Sequence, residues 1–162
     1  MRADEVGLMV SYFRDADPAF LHKMGVDPER LPAYDEWVGS VTEDLGRPTA
    51  ERQHYYLAWV PNGVPIGHSN INKMIFGQEA FMHLHLWDPS TRRGGNGAYF
   101  VQNSISFYFE KFELQSLFCE PNAHNPSPNR TLPKIGFELI KSYETTPGWL
   151  NFHQPVNRWL LT

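Results

Sequence analysis

The stretch that most constrains this chain is residues 81–98, F-M-H-L-H-L-W-D-P-S-T-R-R-G-G-N-G-A. Alternation along a strand puts Phe81, His83, His85 and Trp87 on one face and Met82, Leu84 and Leu86 on the other. Asp88-Pro89 then turns the chain, and glycines lead into a helical apolar stripe. A strand, a glycine loop and a helix in succession demand a sheet with a helix packed on it. Such a loop also presents backbone N–H groups at a helix N-terminus, a favourable seat for phosphate oxygens.

The flanks supply the rest of the sheet. Val6, Met9, Val10 and Phe13 are spaced for a helix over 3–13. Asp17 before Pro18 reads as an N-cap opening a short helix through Met24, ended by Gly25. A third helix is predicted over 32–45, with Trp37, Val41 and Leu45 on one face. Strands are predicted over 54–60, 66–75 and 81–87, turning at Pro61-Asn62-Gly63 and Gly77-Gln78, which makes an antiparallel meander. After Gly97 a helix runs to about Phe112 along Val101, Ile105, Tyr108 and Phe112. A strand over 116–120, a helix over 128–135 closed by Gly136, and strands over 137–143 and 157–161 complete the chain. The expectation is one α/β (α+β) domain, residues 1–162, with a mixed, mostly antiparallel central sheet flanked by helices.

Composition narrows the partners. With 162 residues the chain can bury a core without staples. A formal net charge of -4 argues against nucleic acid. No apolar run is long enough for a membrane span, and M-R-A-D-E-V is no signal peptide. The single cysteine, Cys119, precludes an internal disulfide and fits a cytoplasmic protein. It lies in an apolar strand and reads as a buried structural thiol.

Two familiar phosphate loops fail residue by residue. No Lys-Ser or Lys-Thr follows the glycines, as a P-loop requires. Phe100 stands where the dinucleotide fingerprint needs its third glycine. The pattern left is Arg92-x-x-Gly95-x-Gly97. It resembles the acetyl-CoA loop of the GNAT N-acetyltransferase superfamily, [Arg/Gln]-x-x-Gly-x-[Gly/Ala]. A second signature is in register: Asn125, then a short helix ending in Lys134-Ile135-Gly136-Phe137. The likeness covers residues 54 to 162 in order and spacing, and its style is that of the ribosomal-protein and N-terminal acetyltransferases.

The resemblance implies the GNAT acyl-CoA N-acyltransferase fold, with the family's usual first strand missing. It implies acetyl-CoA as acyl donor and direct transfer to a primary amine, either a protein or peptide N-terminus or a small amine. The cofactor residues would be Arg92, Arg93, Gly94, Gly95, Asn96, Gly97 and Ala98 on the pyrophosphate. Leu86 and Trp87 would pair with the pantetheine arm, and Asn125 and Arg130 would lie on the second signature. The acceptor must be neutral to attack, and a free alkyl amine has a pKa near ~10.4, so a base is expected. His85 is nearest the cofactor end of its strand, followed by His83 and Glu120. His68, Asn70 and Asn72 alternate with apolar residues on the preceding strand, which reads either as a half-exposed strand or as a row pointing at the acceptor.

One departure bears on the chemistry. Leu132 stands where many members place the Tyr that protonates the leaving thiolate; Tyr143, Ser127 or solvent are the substitutes. The alternative reading is therefore a non-catalytic CoA-binding or sensing module of the same fold. A third reading takes His83-x-His85 as a metal pair completed by His68, His124 or Glu120. With no H-E-x-x-H and no cysteine pair, no metal is expected. The partners expected are acetyl-CoA and an amine, in a monomer or homodimer.

Overall fold

The computed structural model describes residues 1–87 and 96–162, with Asn96 described by its backbone alone. Three helices come first: α1 (Ala3–Arg14), α2 (Pro18–Met24) and α3 (Tyr34–Gly46). The meander β1 (His54–Trp59), β2 (Gly67–Ile75) and β3 (Glu79–Leu86) follows. The long helix α4 (Asn96–Phe112), β4 (Ser116–Cys119), the short α5 (Pro126–Thr131), β5 (Glu138–Thr145) and β6 (Gln154–Leu161) complete it. The six strands form one sheet in the order β1-β2-β3-β4-β6-β5. Among the described residues, only β3 and β4 run parallel. The mixed, mostly antiparallel sheet expected from the sequence is thus the one observed.

Local chemistry explains the element ends. Asp17 caps α2 by accepting the Ala19 N–H at 2.7 Å. Pro18 supplies the first turn, and Gly25 closes it at φ 80°, a conformation glycine adopts without steric cost. The second-signature helix starts two residues earlier than the sequence pattern indicated. Asn125 is its N-cap, accepting from the Ser127 N–H at 3.3 Å, and Pro126 is its first residue. Pro133 has no N–H to give, and Leu132–Ile135 tightens into a 3-10 turn before Gly136.

Each face of the sheet carries its own core. On one, Tyr108, Val101 and Phe112 of α4 pack with Leu132 and Phe137 onto Ile71, Met82, Leu117 and Trp159. On the other, Val6, Met9, Val10 and Phe13 of α1 meet Leu21, Trp37 and Val41. Each fully buried aliphatic side chain is worth about 1.5–3 kcal/mol by removal from water. Polar pairs fix the registry of α4: Tyr108 and Ser69 share a hydrogen bond of 2.9 Å, and Trp59 Nε1–H donates to Ser104 at 3.0 Å.

The sheet is not continuous along its length. β3 pairs with β4 over Glu79, Ala80 and Phe81 alone, against Ser116, Leu117 and Phe118. Beyond that rung β3 follows β2 up to Leu86, while β4 follows β6. A gap opens between them, and the upper half of β3 lines it.

Ser69 and Tyr108 are both fully buried. Tyr108→Phe is expected to destabilise the protein by about 1–3 kcal/mol, since it strands the Ser69 hydroxyl. Urea unfolding should show that adding Ser69→Ala recovers part of this loss; strictly additive losses would contradict the pairing.

Candidate active site

The rungs of the meander set the floor of a cavity. Tyr56, Asn70 and His83 lie side by side across β1, β2 and β3, and so do Ala58, His68 and His85. Paired residues share a face, so the alternating polar positions of three strands form one polar patch. His54, Tyr56, His68, Asn70, Asn72, His83 and His85 all line a cavity of about 560 Å³. One wall is α3, which contributes Glu36, Ser40 and Asp44 at helical spacing, with Trp37 and Val41 beside them. The other wall is the gap, where Leu84, Cys119, Glu120, Asn122, Asn125 and Leu132 line the same space. The cavity therefore runs from the first helices to the opening between β3 and β4.

Main-chain groups face that opening. The Trp87 N–H is bonded to the Ile66 carbonyl on the β2 side at 2.8 Å, and the Ser116 N–H to the Gln78 carbonyl on the β4 side at 2.9 Å. Strand groups alternate in direction, so those of Leu84 and Leu86 point into the gap. The helix α4 begins close after this edge in sequence, and among the described residues a Cβ on its Gly97 would meet nothing within 4 Å.

The histidines are held neutral. His68 is 1% exposed, and its Nδ1 accepts the Trp87 indole N–H at 2.9 Å, which leaves the proton on Nε2. His85 stacks on His68 at 4.8 Å and meets the edges of Phe13 and Tyr12 at 5.0 and 5.7 Å. Its Nδ1 is buried with no hydrogen-bond partner among the described residues. His83 lies 3.2 Å from the Asn72 side-chain oxygen. Burial lowers all three, His83 to about 4 and His85 to about 3, because a cation loses its hydration there. Neighbouring His54 pushes His83 the same way, and His83 does so to His85.

Glu120 differs from the histidines. Its carboxylate takes both the Arg158 guanidinium and the Tyr143 hydroxyl, and Arg158 also donates to Tyr143 at 2.7 Å. The Arg158 guanidinium lies over the Phe81 and Phe118 rings, 5.3 and 5.6 Å away. Burial and the bond to Glu120 raise the Tyr143 hydroxyl. Glu36, Asp44 and Glu120 line the cavity, while no lysine or arginine does so among the described residues.

Solved structures share this architecture. The spermidine N-acetyltransferase from Vibrio cholerae, in complex with CoA and spermine, superposes with a TM-score of 0.78 at 11% identity, over 99% of this chain and 91% of that one. RimL, a ribosomal L7/L12 alpha-N-protein acetyltransferase in complex with coenzyme A, gives 0.78 at 13% identity, over 99% and 90%. The aminoglycoside acetyltransferase AAC(6')-Ib with coenzyme A and kanamycin gives 0.76 at 14%, over 100% and 91%. This is the GNAT fold. Neither a family model nor a curated protein matches the sequence, so the likeness is carried by the course of the chain.

Within the GNAT fold the sequence-predicted residues separate into groups. His83, His85 and Glu120 all border the cavity. Leu86 packs against the α4 core through its side chain, and Trp87 spends its indole N–H on His68. Asn125 lines the cavity at the α5 N-terminus, with its side-chain Oδ1 engaged as the cap, while Arg130 is exposed on α5. Asn96, Gly97 and Ala98 open α4. Arg92, Arg93, Gly94 and Gly95 lie outside the described residues. Leu132 is 1% exposed and lines the gap. Among the described residues no group of three His, Cys, Asp or Glu is arranged to hold a metal ion. Sequence reasoning passed over the polar side of α3, although Glu36, Ser40 and Asp44 recur four apart.

The depressed histidines make stability pH-dependent. Their folded pKa values lie below the ordinary 6.5, so as pH falls the unfolded chain takes up protons first. The stability they confer is complete above about pH 6.5 and is lost as pH falls toward about 4 and about 3. Denaturant melts from pH 8 to pH 4 should show His85→Phe with a flatter decline than the unaltered chain. An equal or steeper decline in the variant would contradict the neutral, buried imidazole.

Proposed function

We propose that this protein is an acetyl-CoA-dependent N-acetyltransferase that transfers the acetyl group directly to a primary amine. One observation carries the reading. In a GNAT fold, the gap between β3 and β4 opens into a cavity with three carboxylates and no lysine or arginine among its described lining residues. Acetyl-CoA supplies the activated acetyl group. The main-chain groups of Leu84 and Leu86 are free to pair with an extended arm in the gap, and an N–H there would stabilise a developing oxyanion. The first turn of α4 offers backbone N–H groups for the pyrophosphate, with the helix dipole adding ~0.3–1 kcal/mol. Asn125 still has its amide donor to give.

The acceptor side follows from electrostatics. Glu36 and Asp44 attract a cationic amine to the cavity. The burial that keeps His83 and His85 neutral then disfavours an ammonium as well, which lowers the amine's pKa from its ordinary ~10.4. Losing the proton becomes easier as the amine moves inward, and water carries the proton away. His85, held at about 3, stays neutral and can only accept a hydrogen bond from the amine, which counts against the base role expected for it. The nitrogen bonds to the acetyl carbon, the carbon–sulfur bond breaks, and the thiolate takes a proton. Leu132 supplies no proton for that last step, and the Tyr143 hydroxyl is already given to Glu120, so water serves. The same Leu132 favours a second reading, a CoA-binding module without turnover, which shares the cofactor site and differs in the acceptor test.

Acetyl-CoA at millimolar concentration should raise the melting temperature, and an amine panel should release free CoA thiol. A shift without any thiol release would favour the sensing module; no shift would contradict both readings. Gly97→Glu puts a carboxylate at the start of α4, where a Cβ has open space, so the fold should persist. Affinity for acetyl-CoA should fall at least tenfold, and unchanged affinity would remove this turn from the phosphate site.

A further inference from the structure

The connection between β5 and β6, residues 146–153, does not hang free. It folds across the cavity and lies against the end of α2. Val26 and Asn151 form an antiparallel bridge, and the Asp27 N–H donates to the Leu150 carbonyl at 2.8 Å. The Gly25 carbonyl accepts from both the Asn151 and the Gln154 side-chain amides, each at 2.8 Å. Arg30 donates to the Asn151 carbonyl at 2.9 Å, and Lys73 reaches the Pro147 carbonyl at 3.3 Å. Trp149 meets Trp37 of α3 edge-on at 5.9 Å, and Phe152 stacks on His22 at 4.8 Å. The segment is a strap tied at both ends.

Its seat is specific to glycine. Gly25 has φ 80°, and a Cβ there would stand 1.8 Å from the Gln154 side-chain oxygen. Gln154 is 2% exposed, and its oxygen accepts from Asn122 at the end of β4, at 2.6 Å. The strap, the α2 exit and the β4 side of the gap are therefore one hydrogen-bonded unit.

We infer that the strap closes the acceptor site over a small molecule, so that the substrate is a compact amine and not the N-terminus of a polypeptide chain. A polypeptide laid in a cleft needs main-chain partners along its walls. Here the main-chain groups flanking the cavity are already taken: the Asp27 N–H by the Leu150 carbonyl, the Val26 N–H by the Leu21 carbonyl, the Asn151 N–H by the Gly148 carbonyl, and the Asn151 carbonyl by Arg30. An extended chain would have to break those bonds and leave buried groups unpaired. The cavity that the strap borders, about 560 Å³, is of the size that takes small ligands, and the acidic wall on α3 suits a compact cation.

This inference rests on the acetyltransferase reading, and two measurements keep the two apart. The first is transfer from acetyl-CoA to 1,4-diaminobutane, ethanolamine and other small amines, set against peptides of two and eight residues with free N-termini. The best small amine should exceed the eight-residue peptide at least 100-fold in kcat/KM. Arg30→Ala with Asn151→Ala should shrink that ratio at least tenfold by raising the peptide rate, with stabilisation by acetyl-CoA unchanged. Comparable rates for peptide and small amine in the unaltered protein would overturn the inference. The second is hydrogen exchange at the Asp27 amide without any ligand. A tied strap protects it, and exchange at the rate of an open loop overturns the closure whatever the turnover. Transfer to no amine, with the amide protected, instead counts against the acetyltransferase reading, and the acceptor class falls with it.

Discussion

Everything functional in this molecule depends on the parallel pairing of β3 and β4 ending after three rungs. Two local forces end it. Pro121 directly after Glu120 has no N–H for a ladder, and its carbonyl accepts the Asn157 N–H from β6 at 3.1 Å. Glu120 is drawn the same way by Arg158 of β6 and Tyr143 of β5. The end of β4 is thereby committed to β6, while β3 stays on β2 through Leu86. The unpaired edge of Leu84 and Leu86 would be a liability in an ordinary sheet. Here it is the wall of a cleft.

Desolvation links this cleft to the chemistry. Three imidazoles on one patch would repel one another if charged, and burial already favours their neutral forms. The tautomer of His68 is set by Trp87, whose indole N–H it accepts. Carboxylates on α3 and beside the gap supply the negative charge, and among the described residues only Glu120 of these is matched by a cation. The site can thus draw a cation inward and penalise it for staying charged.

Strands and helices were legible because their side chains are periodic. α2 was readable to the residue from Asp17, Pro18 and Gly25, since a capping carboxylate, a first-turn proline and a left-handed glycine each act locally. Boundaries shifted where a proline fell inside an element. β6 begins at Gln154 and not at Asn157 because Pro155 sits where its missing N–H is not needed, and its carbonyl is taken by Ala123. The gap, too, had only an indirect signal, in the family-like order of elements. The strap was invisible for a physical reason. Gly25, Asn151 and Gln154 are far apart in sequence, and each looks like an ordinary turn or strand residue until folding brings them together. The polar side of α3 was visible as a spacing, but a solvated face and a cavity wall have the same pattern.

The proposed activity requires acetyl-CoA to enter between β3 and β4. A crystal structure of the protein with acetyl-CoA tests this most directly. The extended arm should pair with the main chain of Leu84 and Leu86, the thioester should lie between them and Glu120 to Asn122, and the pyrophosphate should meet the first turn of α4. An acetyl-CoA molecule bound on another face, or a gap closed by pairing of β3 to β4 beyond Phe81 and Phe118, would contradict it.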